Sequence, residues 1–482
     1  MDYLKKCEQL KIVDATCGKG KTSWAIQHMY EVELSEKFIY ITPFLTEVQR
    51  VKESVTSRKF YEPTKNDQNV TKLESLKHLL EKGENIVATH SLFLNADDEI
   101  LKLIFLQDYT LILDEVMNVI EQVPIKQDDI KVLLKAKTDE EQLFITVKEN
   151  GYVKWNHRKY NGDRFSHIKH LSYTDNLIIY NDIAMYWTFP AAVFKSFKDV
   201  YILTYMFYGQ LQRYYFDLFK VKYKFLSVDL NTVTGKYELT QYVRPTQEKE
   251  LQELREKIRI YYKGLNDKKD LNAIGEEKSA FSSSWIKRYL GDKSVLKMIT
   301  DSAYNFHRNK CQSKSDKVMW TCVKEFEKKL AVPKAKKQFV EVTCRATNNY
   351  VERDTLIYLA NRYMNPVTKQ FFKSHNIRVD EDLWALSELI QWLFRSAIRK
   401  EQPINLYIPS SRMRELLEKY LSGESVAWFE KIFDGMMVWQ NQSQKQKKIE
   451  STSKEETVAV PSKGVNENLN PYKIWVSRWY PL

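Results

Sequence analysis

A short segment near the amino terminus has the residue types and spacing that bind phosphate. The run Ala15-Thr-Cys-Gly-Lys-Gly-Lys-Thr22 matches the form G-x-x-x-x-G-K-[ST], with Ala15 in place of the first glycine. In that form, backbone N–H groups and a helix amino terminus surround the phosphates, and the hydroxyl group binds Mg²⁺. The segment therefore predicts a site for ATP and Mg²⁺, made by Ala15, Gly18, Lys19, Gly20, Lys21, Thr22 and Ser23.

Two adjacent acids, Asp114 and Glu115, follow the apolar run Leu-Ile-Leu. A buried strand that stops on two acids brings them to the edge of a sheet. Asp114 is expected to hold Mg²⁺ together with Thr22, and Glu115 to orient or deprotonate the attacking water. A solvated pair of acids at a strand end is the alternative, but the preceding phosphate loop argues against it. The two motifs together predict hydrolysis as well as nucleotide binding.

Short apolar segments alternate with helical ones in the first part of the chain. Helices are predicted to begin near Lys21 and Leu45. Such alternation is typical of a parallel sheet that is covered on both faces, and open α/β sheets bind ligands at the carboxyl ends of their strands. The predicted strands are residues 10–14, 38–42, 85–88, 109–113 and 200–204.

The rest of the chain divides by pattern. Residues 1–205 are predicted to form the first domain, with a small insertion at about 127–180 that contains a hairpin turning at Asn150-Gly151. A second α/β domain is predicted over 206–425, with strands at 318–322, 339–343 and 404–408 and a helix at 382–398. The extension 426–482 is polar at 441–470, which predicts a flexible linker, and ends in an aromatic tail at 471–482.

Composition limits the classes of protein that remain. The chain has 482 residues and a net charge of +12. A basic balance suits a nucleic-acid partner, although solubility or the codon bias of an AT-rich genome also produces it. The five cysteines have no C-x-x-C spacing, which disfavours a zinc site or a disulfide framework and predicts a cytoplasmic protein. The amino terminus lacks the apolar core of a signal peptide, and no apolar run is long enough to predict a membrane span.

With the two motifs in place, the chain resembles the superfamily 2 helicases, specifically the DEAD/DEAH-like helicases that bacteriophages and prophages encode. That superfamily tolerates alanine at the position of Ala15, whereas Val116 and Met117 depart from the last two letters of the DEAD or DEAH box. The resemblance covers roughly residues 10–421. It implies an α/β protein with two RecA-like domains, ATP in the cleft between them, and nucleic acid across their top.

The resemblance also implies residues that contact nucleic acid. Segments at the ends of the second and third predicted strands, a threonine at the end of the fifth, and the run Cys344-Arg-Ala-Thr-Asn-Asn-Tyr350 lie in the order that the family places its contacts. Only the threonine is shared with the family's Ser-Ala-Thr segment. The implied nucleic-acid contacts are Thr42, Pro43, Thr89, His90, Thr204, Arg345 and Asn348.

The run Gln391-Trp-Leu-Phe-Arg-Ser-Ala-Ile-Arg399 resembles the family's sixth motif, Q-x-x-G-R-x-x-R. Positive charge must reach the γ-phosphate from the second domain, so Gln391, Arg395 and Arg399 are expected in the catalytic site. The arginines here are four apart, where the family has three, and on a helix they would share one face. Arg395 is favoured as the finger, with Arg399 as the alternative, and a plain basic helix face remains the non-catalytic interpretation.

These features predict an ATP-driven helicase or translocase that serves phage or prophage DNA replication in the host cytoplasm. Its track is expected to be single-stranded or duplex DNA, with RNA open. A packaging motor is disfavoured because no cluster of nuclease acids follows the motor. A nucleotide-gated adaptor is the alternative, in which the aromatic tail at 471–482 binds a protein partner.

Overall fold

The computed structural model describes residues 6–65, 71–94, 97–173, 176–242, 248–344 and 349–422. Arg345, Asn348 and the extension 426–482, with its linker at 441–470 and tail at 471–482, lie outside the described residues. Among the helices that are described, none has the length and apolar character needed to cross a membrane.

The described strands are short and mostly buried. They are β1 (Leu10–Asp14), β2 (Lys37–Thr42), β3 (Phe60–Tyr61), β4 (Asn85–Thr89), β5 (Tyr109–Asp114), β6 (Ile120–Gln122), β7 (Ile145–Val147), β8 (Val153–Trp155), β9 (Leu177–Tyr180), β10 (Ala184–Thr188), β11 (Asp199–Thr204), β12 (Tyr223–Asn231), β13 (Lys236–Gln241), β14 (Ile258–Ile260), β15 (Val318–Cys322), β16 (Thr355–Leu359) and β17 (Ile404–Tyr407).

Helices alternate with these strands. They are α1 (Lys21–Glu31), α2 (Leu45–Ser54), α3 (Lys72–Glu81), α4 (His90–Phe93), α5 (Asp98–Leu106), α6 (Gln127–Lys135), α7 (Ser166–Tyr173), α8 (Ala192–Ser196), α9 (Leu211–Leu218), α10 (Glu248–Lys257), α11 (Ser283–Arg288), α12 (Lys293–Asn305), α13 (Pro366–Ser374), α14 (Glu381–Leu393) and α15 (Ser411–Ser422).

The first sheet has eight strands in the order β13-β12-β1-β11-β5-β2-β4-β3, and only β13 pairs antiparallel. Alternate residues of its central strands enter two different cores: Ile39 and Ile41 lie in one, while Phe38 and Tyr40 lie in the other. Both faces are therefore covered, which explains why these strands are continuous apolar runs. The chain is thus a mixed α/β protein, and the five strands predicted for this region are confirmed.

The first sheet continues beyond residue 205, where the sequence predicts a domain boundary. Strand β12 pairs parallel with β1, from Leu10 opposite Tyr223 to Val13 opposite Leu226. Strand β13 then returns antiparallel along β12. The hairpin residues up to Gln241 thus belong to the first sheet.

The insertion predicted at about 127–180 is a small subdomain with its own core, and its strands extend beyond that range, from Ile120 to Thr188. Strands β6, β10 and β9 form an antiparallel sheet, and β7 and β8 form the predicted hairpin with Gly151 at φ 82° in its turn. A positive φ of this kind is the reason for glycine at that position. Buried side chains such as Trp155 and Met185 fill the space between these strands and helices α6 and α7.

The second sheet is parallel, in the order β14-β17-β16-β15. It lacks the strand predicted at 339–343: Phe339 makes one isolated bridge to Trp320, and the chain then turns away. A lysine-rich 3-10 turn, Lys336–Gln338, precedes this point, so little extended chain is left to pair. That prediction is wrong.

The helix predicted at 382–398 is also shorter than expected, because α14 ends at Leu393. The Ser396 hydroxyl donates to the Leu393 carbonyl at 2.6 Å, and the Ala397 N–H donates to the Arg353 carbonyl at 2.8 Å. A serine side chain competes for helical backbone groups, and the bond from Ala397 draws the chain out of the helix. Arg395 therefore lies after the helix and Arg399 in the 3-10 turn Ala397–Lys400, so the two do not share a helix face.

Trp320, in the middle of the edge strand β15, provides a test of the core of the second sheet. Its ring is fully buried and its Nε1 donates to the Ala335 carbonyl at 2.8 Å. We expect Trp320→Ala to lower the free energy of unfolding by about 3–5 kcal/mol, because it leaves a cavity and an unpaired carbonyl. Urea unfolding followed by circular dichroism measures the change.

The control is Met298→Ala, which truncates an exposed side chain on α12 of the same unit. It should change the free energy of unfolding by no more than about 0.5 kcal/mol. Equal effects of the two substitutions would contradict the packing described for β15.

Candidate functional site

Polar residues end five neighbouring strands of the first sheet at one edge. Asp14 of β1 lies opposite Thr204 of β11, Leu203 opposite Asp114 of β5, and Thr42 of β2 opposite Thr89 of β4. The strands are parallel, so all five carboxyl ends meet there. This edge is where open α/β sheets bind ligands.

The phosphate-loop segment connects β1 to α1 along this edge. Its Ala15 N–H donates to the Thr204 carbonyl at 3.2 Å, and Gly18 and Gly20 have φ of 93° and 88°. These left-handed conformations are open to glycine without strain. Helix α1 begins at Lys21 with no side chain capping it, and Thr22 and Ser23 are half-buried in its first turn. The uncapped amino terminus is a favourable position for an anion.

Lys21 turns back into the loop. Its Nζ donates to the Ala15 carbonyl at 2.5 Å and to the Thr16 carbonyl at 3.1 Å. Lys19, by contrast, is an exposed side chain at the top of the loop. The Lys21 ammonium group is thereby held between the loop and the buried acids, close enough for its charge to lower the pKa of Asp14 and Asp114.

The two buried aspartates of this edge are costly to ionise. Burial raises the pKa of Asp114 to about 7, aided by the negative charge of Glu115, while the hydroxyl of Tyr40 donates to it at 2.9 Å and opposes the rise. Burial likewise raises the pKa of Asp14 to about 7, although the N–H groups of Met206 and Phe207 donate to it at 2.9 and 3.0 Å. A cation bound between these groups would stabilise their ionised forms.

Glu115 has a strained backbone and an incompletely paired carboxylate. Its φ is 68°, in the left-handed region that a non-glycine residue rarely adopts, and its N–H donates to the Leu203 carbonyl at 2.9 Å. Its Oε2 is buried without a hydrogen-bond partner. Strain and unpaired polar atoms of this kind cluster at functional sites.

Arg395 reaches this carboxylate from the second unit, which is the part of the chain that contains the second sheet; the first unit contains the first sheet. Its side chain is 1% exposed, and its Nη2 lies 3.7 Å from Glu115 Oε1, too far for a direct hydrogen bond. Nε and Nη2 are both buried without hydrogen-bond partners. Opposite charges thus face each other across the two units, with donor and acceptor capacity left unused on both sides.

The other sixth-motif residues lie close by. The Gln391 amide donates to the Tyr205 carbonyl at 3.3 Å, a carbonyl that also accepts from Gln210 at 2.6 Å. The carbonyl oxygen of Arg399 lies 3.9 Å from the position that a Cβ on Gly18 would take. The segment from Gln391 to Arg399 therefore covers the phosphate loop, and its buried guanidinium is that of Arg395, since Arg399 is half-exposed.

The residues implied to contact nucleic acid differ from one another in burial and in hydrogen bonding. Thr42 and Thr204 are fully buried, with the Thr204 hydroxyl bonded to Gln210. The Thr89 hydroxyl lies 3.1 Å from that of Ser91, and His90 Nε2 lies 3.2 Å from the Asp114 carbonyl oxygen. These side chains, and half-buried Pro43 beside Thr42, line the same edge as the acids.

Several residues of this edge were not predicted from the sequence. Tyr40 bonds to Asp114, Gln210 bonds to Thr204, and Asp14 lies opposite Thr204 in the sheet. Asp14 alone carried a signal, because an acid directly before the phosphate loop interrupts an apolar strand. Tyr40 and Gln210 gave none, since aromatic and amide side chains are common in buried strands and turns.

The residues present fit a nucleoside triphosphate with Mg²⁺. Glu115 and Arg395 approach each other and both carry buried polar atoms without hydrogen-bond partners. The carboxyl group of Asp114 is buried, and burial raises its pKa. No group of three or more His, Cys, Asp or Glu side chains placed to hold a metal occurs in the described part of the chain. Mg²⁺ commonly uses only one or two protein ligands beside phosphate and water, so a site for it would not require such a group.

Solved structures show only distant likeness. Xpd4 from S. tokodaii has a TM-score of 0.41 and 13% identity, with 86% of this chain and 95% of that chain covered. The DUF1998 helicase MrfA, bound to DNA and AMPPNP, has a TM-score of 0.32 and 11% identity, and the match covers 87% of this chain and 49% of the MrfA chain.

Sequence relatives show the family. Residues 120–187 match a model described as the YonV middle domain, and residues 252–421 match the YonV C-terminal Rossmann-like domain. The chain is 39% identical over 428 residues to the SPbeta prophage-derived uncharacterized protein YonV of Bacillus subtilis (strain 168), an alignment that covers 86% of this chain and 100% of that protein. The chain belongs to the YonV family.

Proposed function

We propose that this protein is an ATPase that moves on nucleic acid, a helicase or translocase of a prophage that acts in the bacterial cytoplasm. One observation carries the proposal. The buried guanidinium of Arg395, two of whose nitrogens lack hydrogen-bond partners, approaches Glu115 from the second unit, beside the phosphate-loop segment and Asp114. A hydrolytic site completed by a second unit opens and closes with its nucleotide, which is what a motor requires.

Each residue has a role that follows from its position. Loop N–H groups and Lys21 would bind the β- and γ-phosphates. Thr22 and Asp114 would hold Mg²⁺, whose charge would neutralise that of the phosphates. Glu115 orients the attacking water and accepts its proton through the unpartnered Oε2. Arg395 stabilises the charge that develops on the transferred group. Gln391 holds the second unit against Tyr205.

A groove between the two units is the proposed track. It has a volume of about 530 Å³ and is lined by Phe44 and by residues of the second unit that include Lys336, Lys337 and Tyr350. Two acids, Glu327 and Glu341, also line it, and both are ion-paired with Lys324. Lysines bind phosphates without reading sequence, and rings stack on bases, so the groove suits a single strand. His90 links the edge to the Asp114 backbone and offers a path for coupling.

Substitution of the two candidate arginines identifies the finger. Arg395→Ala should lower the rate of ATP hydrolysis about 10³-fold or more, the range measured for arginine fingers. Arg399→Ala should lower it far less, because its side chain is half-exposed. Steady-state phosphate release measures both. Lys400→Ala, which removes an exposed charge from the same turn, is the control and should hydrolyse ATP normally. A larger loss in Arg399→Ala than in Arg395→Ala would reverse the assignment.

The raised pKa of Asp114 predicts how Mg²⁺ use depends on pH. The metal binds the ionised carboxylate, so the concentration of Mg²⁺ needed for half-maximal hydrolysis should rise as pH falls below about 7, by up to about tenfold per unit. Mg²⁺ titrations at pH 6, 7 and 8 measure this.

The free protein should respond in the opposite direction. The folded form holds the Asp114 proton more tightly than the unfolded chain, so this part of the stability is present at low pH and is lost as pH rises through about 7. Asp114→Asn should weaken that pH dependence in urea unfolding without Mg²⁺. An Mg²⁺ requirement that is flat from pH 6 to 8 would contradict the placement of the metal.

Nucleic acid should stimulate hydrolysis through the groove. We expect single-stranded DNA to raise the ATPase rate, and the double substitution of exposed Lys336 and Lys337 by alanine to weaken binding and reduce the salt slope by ~0.7 per lost phosphate contact. Lys268 and Lys269, an exposed pair outside the groove, give the matched double-alanine control. ATP hydrolysis that single-stranded DNA, duplex DNA and RNA all fail to stimulate would favour the adaptor alternative instead.

A further inference from the structure

We infer that Tyr237, on the β12–β13 hairpin, is the side chain on which the base of the bound nucleotide stacks. This inference rests on the proposed function, because it requires a nucleoside triphosphate in the phosphate loop. It adds what that proposal lacks: a part of the site that contacts the nucleoside and not the phosphates.

The hairpin stands beside the phosphate loop. Leu226 of β12 is level with Val13 of β1, and Leu230, four residues later, pairs with Tyr237. At about 3.3 Å per residue, Tyr237 lies about 13 Å beyond that level, past the carboxyl edge of the sheet where the loop begins. The hairpin therefore projects as a wall on the side of ligand binding.

The Tyr237 backbone is clamped to the helix that follows the loop. Its N–H donates to Gln27 Oε1 at 2.9 Å, and its carbonyl accepts from Gln27 Nε2 at 3.1 Å. Lys236 forms an ion pair with Glu31 at 2.8 Å. Both partners lie on α1, so the ring keeps a fixed position relative to the amino terminus of that helix.

The ring itself lies on the loop. A Cβ added to Gly20 would come within 2.0 Å of the Tyr237 ring, so ring and glycine are in direct contact. The side chain remains half-exposed, which leaves part of the ring open to a ligand. This contact is a second reason, beyond its φ of 88°, why position 20 requires glycine.

The direction of the nucleotide brings its base to this wall. Glu115, which would face the γ-phosphate together with Arg395, follows β5, and β5 lies on one side of β1 in the sheet order. The hairpin lies on the other side of β1. A triphosphate that runs from Glu115 along the loop therefore places its nucleoside toward Tyr237. Stacking on one ring stabilises the binding of any nucleoside triphosphate and does not discriminate among bases.

The test compares ATP with inorganic tripolyphosphate, each with Mg²⁺, in calorimetric titrations of the full chain. Tyr237→Leu keeps an apolar side chain against Gly20 but removes the ring. We expect it to weaken ATP binding about tenfold, the scale of one base–aromatic stack, and to leave tripolyphosphate binding unchanged. Tyr237→Phe should bind both as the unmodified chain does. Tyr30→Ala, on an exposed face of α1, is the control.

The outcomes separate this inference from the proposal beneath it. Equal weakening of both ligands in Tyr237→Leu would show that the ring only shapes the loop, and unchanged binding of both would show that it does neither; either result overturns the inference. Lys21→Ala tests the phosphate site independently, because it should lose both ligands. If the unmodified chain binds both and Lys21→Ala binds neither, the phosphate site stands whatever Tyr237 does.

Discussion

The approach of Arg395 to Glu115 is the interaction on which the candidate site depends. The two side chains come from different sheets, both are largely buried, and 3.7 Å separates their nearest charged atoms. Removing either charge from water is unfavourable, and the opposite charge offsets part of that cost. A direct pair would satisfy both groups; this spacing leaves Glu115 Oε2 and two Arg395 nitrogens unpartnered. The two units are thus held in an arrangement that a charged ligand between them would stabilise.

The polypeptide reaches this arrangement through two local departures from regular structure. Strand β5 is followed directly by Glu115, whose left-handed backbone conformation breaks the extended path of the strand. Helix α14 ends early because the Ser396 hydroxyl bonds to the Leu393 carbonyl and the Ala397 N–H bonds to the Arg353 carbonyl. Arg395 therefore lies in the turn after the helix. Neither departure favours stability. Together with the raised pKa of Asp14 and Asp114, they place unfavourable features at one edge of one sheet, as is common where a protein keeps a site ready for a ligand.

The divisions of the family agree with the divisions of the fold. The match to the YonV middle domain, residues 120–187, covers the antiparallel sheet of β6, β10 and β9 with its hairpin. The match to the C-terminal domain, residues 252–421, covers the second parallel sheet. The hairpin of β12 and β13 lies between these two matches and belongs to the first sheet. It ties the chain that leaves the first unit to helix α1 before the second unit begins.

Local pattern was sufficient for most elements, and it predicted the loop and the two acids that the structure brings to one edge of the first sheet. Apolar runs, a glycine-containing turn and adjacent acids depend on a few neighbouring residues, so the five strands, the start of α1 and the hairpin at Asn150-Gly151 could be predicted from the sequence alone. The strand at 339–343 and the helix to 398 were wrong because distant groups decided them: one paired residue at Trp320 and one bond from Ala397 to Arg353. Motif spacing left Arg395 and Arg399 as alternatives. Only the packing of one unit on the other buries Arg395 against Glu115, and only the pairing of β12 with β1 brings Tyr237 onto Gly20. Contacts between residues so far apart in the chain have no local signature.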